Sequence, residues 1–167
     1  MKHDFRMQYP LWMIGFILVL GLFLFAVNSP ETTEIVNTET EQSFLIEYGI
    51  VQGLVIWGSI ILYLIMLFIF YMKIRRHNKL HPTQKIPSFA IRPPEYLEQD
   101  EGMTHITRKA SQKVYTFMTW SLPGLAIFAM FSPLSRIYTV FAILTVALLQ
   151  YVIYYREIRA HLKEEDE

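Results

Sequence analysis

Asp100, Glu101 and His105 lie within six residues of one another. Two carboxylates and an imidazole at that spacing are the parts from which acid–base chemistry on a lipid headgroup is assembled. His77 and His81 stand four apart, the spacing at which two imidazoles on one helix face share a metal. Pro82 follows at once and no carboxylate stands nearby, which argues against a metal site. There is no cysteine, so disulfides, thiolate zinc, iron–sulfur clusters and cysteine nucleophiles are excluded. Neither G-x-S-x-G nor H-E-x-x-H occurs, and no paired aspartates of a metal-dependent lipid-phosphate transferase are seen. These residues imply no cofactor and no catalytic group.

The elements that must position these residues are apolar. Hydrophobic residues make up 53% of the 167, high for a soluble chain. Four runs carry no charged side chain: 10–27, 50–72, 114–131 and 137–155, of 18, 23, 18 and 19 residues. A helix rises about 1.5 Å per residue, so about 20 residues cross the hydrocarbon layer. The expected fold is all-α, a polytopic membrane protein with four transmembrane helices in a single membrane domain. The first run is read as a retained helix rather than a cleaved signal, because "AVNSP" is a poor cleavage site.

The runs lack ionisable residues, which argues against a proton-coupled antiporter, since that chemistry needs a carboxylate in the membrane. All five histidines (His3, His77, His81, His105 and His161) fall outside the runs, so none is placed to ligate haem in the bilayer. The polar and small residues that remain suit helix packing: Gly49, Gln52, Gly53 and Ser59 on the second run, Thr139 and Gln150 on the fourth. They point to interhelical contacts within the bundle. The alternative use is a homodimer seam or a groove for a membrane-protein partner. Pro123-Gly124 is expected to kink the third helix.

Lysine and arginine placement predicts the orientation. Segment 28–49 has five glutamates and no basic residue, whereas 73–113 has nine basic residues. Fourteen of the fifteen basic residues fall on one side, Arg136 being the exception. Both termini and the 73–113 segment are therefore expected in the cytoplasm, at the inner (cell) membrane, with the acidic 28–49 loop outside. Two helical hairpins result, N-in and C-in. Tyr9, Trp12, Tyr48, Tyr71, Tyr115, Tyr138, Tyr154 and Tyr155 lie near the boundaries, as an interfacial belt would. In the acidic loop, "NSPETTE" reads as a helix start, with Ser29 as N-cap and Pro30 in the first turn. Basic and acidic residues number 15 each, so net charge gives no argument for nucleic acid.

The 73–113 segment is zoned. Residues 73–92 hold six basic and no acidic side chains, and 93–102 hold four acidic and no basic ones. Four prolines (Pro82, Pro87, Pro93 and Pro94) make its middle extended. A helix is expected from about Asp100, because Met103, Ile106, Ala110, Val114 and Phe117 form one stripe that runs into the third span. Charges at its start and on the preceding zone are the candidate contacts for a partner or for anionic lipid: Arg75, Arg76, Asp100, Glu101, Arg108 and Lys109. The acidic C-terminal tail is expected to prolong the fourth helix by a few turns.

"DEGMTHITRKASQKVYTF" resembles the motif of small prokaryotic four-helix membrane proteins of unknown function. In those an acidic pair precedes an I-x-x-K-A core ahead of the third span. Asp100, Glu101, Ile106, Lys109 and Ala110 stand at the matching positions. Gly102 and Met103 stand where a second basic residue usually follows the acidic pair. The resemblance covers about 20 residues and the two-hairpin layout, and it implies topology rather than mechanism.

Read together, these features favour a non-enzymatic accessory, regulatory or immunity-type membrane protein that acts through partners. A small oligomeric transporter would need Gln52, Ser59, Thr139 and Gln150 to line one cavity. A lipid-modifying enzyme would need Asp100, Glu101 and His105 to converge in a pocket.

Overall fold

The computed structural model describes residues 5–30, 32–37, 42–80, 82, 101–131 and 135–165. Each apolar run is a helix: α1 is Phe5–Val27, α2 Ile50–Leu80, α3 Glu101–Phe131 and α4 Arg136–Glu165. All four are long and apolar enough to cross a membrane. Among the described residues the regular structure is α-helical apart from one small hairpin. All four helices outrun their apolar cores, α1 by the five residues before Pro10, α2 by the eight after Met72, α3 by the thirteen before Val114 and α4 by the ten after Tyr155. α3 continues as helix through Pro123.

The acidic loop departs from expectation. The helix start at Ser29 and Pro30 is not formed. Strand β1 (Thr32–Asn37) pairs antiparallel with β2 (Gln42–Glu47), in a register running from Thr32↔Glu47 to Asn37↔Gln42. Ser29 closes α1 instead, its Oγ donating to the Phe25 carbonyl at 2.9 Å. The physical reason is local competition. The β-branched Thr32, Thr33, Ile35 and Val36 fit a pleated surface. A ladder partner five to fifteen residues on then outweighs the local Ser29-Pro30 cap signal. Tyr48 ties the hairpin's base to α1, its hydroxyl donating to the Val27 carbonyl at 3.0 Å.

The helices follow one another in space as α2, α1, α4, α3, with the substantial contacts between neighbours in that row. Neighbours run antiparallel. Lys73 meets Gln8 at one end of α1–α2 and Tyr48 meets Val27 at the other; Lys109 meets His161 along α3–α4. The start of α1, the end of α2, the start of α3 and the end of α4 therefore share one end of the molecule.

α1 packs on α2 through aromatic rings. Phe16 touches Tyr63, Phe70 and Trp12 at centroid distances of 5.2, 5.7 and 6.3 Å. Lys73 lies 5.1 Å over the Trp12 ring and donates to Gln8, a cation–π contact at the charged end. Gly15 makes room for a side chain of α2: a Cβ there would stand 2.8 Å from the Met66 methyl. On its other side α1 meets α4 through Gly21, facing Phe141 and Leu144.

Burial is uneven, for a reason that follows from the solvent. Among the described residues Pro10, Phe16, Ala26 and Ser59 are buried within the apolar runs, while Ile74, Ile106, Ala110 and Ile158, with Tyr154 at the edge of the fourth run, are buried at the charged end. Lipid tails are as apolar as leucine, so spans leave large side chains facing outward at no hydrophobic cost. The prolonged segments meet water and must cover theirs.

Candidate functional site

The best-formed polar constellation lies where α3 and α4 run beyond the membrane spans. On α3 the sequence stripe does what its period requires: Ile106 and Ala110 are buried, Ala110 completely, with Val114 packed beside them. Their partners are Tyr154 and Ile158, four apart on α4. Tyr154, expected in an interfacial belt, is instead a core side chain of this pair.

One polar rank flanks that seam. Lys113 Nζ donates to Glu157 Oε2 at 2.6 Å. One turn away, Lys109 Nζ lies 2.9 Å from His161 Nε2, and His161 Nδ1 lies 2.9 Å from the Glu157 carbonyl oxygen. A lysine ammonium can only donate. His161 Nε2 therefore accepts, and Nδ1 carries the hydrogen it donates to the carbonyl. Lys109 and Lys113, four apart on α3, match His161 and Glu157, four apart on α4. That complementary spacing was the signal in the sequence for this contact.

The hydrogen bond from Lys113 holds the Glu157 carboxyl below the usual carboxylate range; burial opposes this, and the charges of Lys113 and Lys109 reinforce it. A carboxylate whose pKa is lowered on folding contributes stability above its unfolded value, near 4.3, and loses it as pH falls through the lower folded value. Lys113 is half exposed and Glu157 largely covered, so the contribution is about 0.5–1 kcal/mol. Glu157→Gln is expected to lower stability by that amount at pH 7. The gap to wild type should close as pH falls below 4; thermal melts in nanodiscs at both pH values read it. A gap that persists in acid would mean that Glu157 acts through packing rather than charge.

Arg108 stands beside this rank on an exposed face of α3 and lines a groove of about 640 Å³ between α3 and α4. Gln150, expected to serve helix packing, also lines that groove. Ser59 is buried in α2, donates to the Ile56 carbonyl at 2.8 Å, and lines an apolar hollow against α1. Ser59 and Gln150 thus belong to separate hollows on different hairpins. Gly53 and Gly58 face open space, and Gly49 supplies the carbonyl that accepts the Gly53 amide at 2.9 Å. Gln52 and Thr139 are half-buried. The hydroxyls of Thr116, Thr119 and Thr145 bond the carbonyls of Gln112, Tyr115 and Phe141, one turn back, so their own helices satisfy them.

Arg75 and Arg76 are exposed on the prolonged end of α2. His77 is buried there, and His81 lies outside the described residues. Glu101 opens α3, His105 is exposed, and Asp100 lies outside the described residues. No group of three metal-binding side chains occurs among the described residues. Comparison with known proteins returns no matching family model, no matching curated protein and no matching solved structure.

Proposed function

We propose that this chain is a non-enzymatic accessory or regulatory protein of the cell membrane, acting by contact with a partner at the cytoplasmic surface. One observation carries the reading. All four helices are prolonged past their apolar cores at the same end of the molecule, α1 the least, and α3 and α4 are packed and ion-paired there. Exposed basic side chains stand at the same end: Arg156 and Arg159 on α4 of that pair, and Arg75, Arg76 and Lys79 on α2, across α1 from it. A rigid, basic, membrane-anchored platform suits recognition of an acidic surface. By the lysine and arginine bias the platform and both termini face the cytoplasm.

The absence of cysteine makes the orientation simple to test. Single-cysteine variants Glu47→Cys and Lys79→Cys place a thiol at two exposed positions on opposite ends. On intact cells a membrane-impermeant maleimide is expected to label the first and to reach the second only after permeabilisation. The reverse pattern would overturn the orientation. For the partner, crosslinking from position 79 in native membranes is expected to give a discrete heteromeric adduct. Arg75→Glu with Arg76→Glu should abolish it without changing the thermal melt. An adduct indifferent to that double reversal would refute the platform as the contact surface.

A further inference from the structure

The groove between α3 and α4 has a polar end and an apolar end, and they follow the membrane normal. Thr104, Thr107, Arg108 and Ser111 line it on the prolonged part of α3; Tyr115 and Met118 continue it along the span, with Gln150 and Tyr151 opposite on α4. From Thr104 to Met118 is fourteen residues of helix, about 21 Å. Arg108 stands six residues before Val114, about 9 Å outside the apolar run. That is the level of the phosphate and glycerol layer, within reach of a long side chain. Arg108 is the one charged residue of the lining, and no carboxylate joins it.

From this placement we infer that the groove is a binding site for one membrane phospholipid with an anionic headgroup. The headgroup phosphate takes a charge-assisted hydrogen bond from the Arg108 guanidinium and a hydroxyl bond from Ser111. One acyl chain lies along Tyr115 and Met118 towards the bilayer centre. Tyr151 sits at the depth where an aromatic ring with a polar tip is at home. The groove holds about 640 Å³, within the range of small-ligand sites and room for a headgroup with the upper part of one acyl chain. Among the described lining residues Arg108 is the only formal charge, which a net anionic headgroup neutralises and a zwitterionic one does not. The site is independent of the partner contact proposed above, which rests on arginines of α2 and α4 that do not line the groove.

The test is lipid retention measured by native mass spectrometry on full-length protein in nanodiscs. The discs contain equal phosphatidylglycerol and phosphatidylcholine of matched chain length. Wild type is expected to retain one phosphatidylglycerol preferentially. Arg108→Gln should cut that preference roughly fivefold, the weight of one basic residue at an anionic surface. Ser111→Leu, which closes the polar end without removing charge, should cut occupancy of both lipids. Arg75→Gln, on the other hairpin, should leave the preference unchanged. The inference is overturned if Arg108→Gln retains lipid as wild type does, or if Arg75→Gln lowers the preference equally, meaning diffuse attraction. It is also overturned if millimolar inorganic phosphate displaces the headgroup preference, meaning a soluble anion site. Because Arg108 is exposed, its variant is expected to melt as wild type does; should it fail to fold, Ser111→Leu alone decides.

Discussion

Ala110→Leu lowers the thermal midpoint of the protein in nanodiscs by several degrees and unpins the charged end of α3 from α4. Ala110 has no accessible surface and packs against Ile106, Tyr154 and Ile158. A methyl group there lets two helices meet; three further carbons force them apart or force neighbours off their rotamers, at about 1–3 kcal/mol. For a chain of this size that is roughly 2–12 °C. The damage is local, because the seam below Val114 is bathed in lipid while this one is bathed in water. Amide exchange along 104–113 is therefore expected to rise before that of the spans. The Lys113–Glu157 and Lys109–His161 contacts flank the same seam and separate with it. Thr116→Leu, one turn and a half further along and exposed, is the control and should be near neutral. If leucine at 110 left both the midpoint and the exchange unchanged, the close α3–α4 contact would be wrong.

Phe16→Ala is the second large effect, and its size depends on the solvent. In a water-soluble core the loss would be about 3–5 kcal/mol, much of it hydrophobic transfer. Here the freed space and the lost side chain are exchanged with lipid tails, so the transfer part largely cancels. What remains is packing and ring–ring geometry. Phe16 meets Tyr63, Phe70 and Trp12, edge-on to Phe70 at 89°. Three such pairs, each about 0.5–1.5 kcal/mol and sharing one ring, are not additive, so about 1–3 kcal/mol is expected. Phe25→Ala is the comparison: Phe25 is 58% exposed and meets Phe141 at 6.5 Å, for a loss under about 1 kcal/mol. Unfolding in mixed micelles by denaturing detergent measures both. Equal losses at the two positions would show that α1–α2 is held by general apolar contact rather than by this aromatic cluster.

The candidate site was half legible in advance. The α3 stripe through Ile106 and Ala110 could be read because helical period is a property of one segment. Its partner could not, because Tyr154 and Ile158 sit where an apolar run gives way to a charged tail, and nothing in that stretch says which helix it will face. Arg108 was picked out for its charge at the membrane surface; its place on a groove wall depended on where Gln150 and Tyr151 came to lie. Gly53 shows the limit of a spacing motif: within one chain it meets open space, whereas the glycine that makes room for a neighbouring helix's side chain is Gly15, for which no motif spoke. The acidic loop was misread for a similar reason: a cap signal is local, whereas β1 needs β2.

By itself the sequence determined the four spans, because crossing a bilayer depends on the length and hydropathy of one continuous segment. It also determined that the third and fourth helices would be prolonged, since charge and helical period continue past their apolar runs. Only the tertiary structure decided the row α2, α1, α4, α3, the pairing of Lys113 with Glu157 and Lys109 with His161, and the groove that Arg108 lines. Inside lipid the apolar faces of four helices are nearly interchangeable, so small differences in shape choose the neighbours. Those differences exist between helices, not along any one of them.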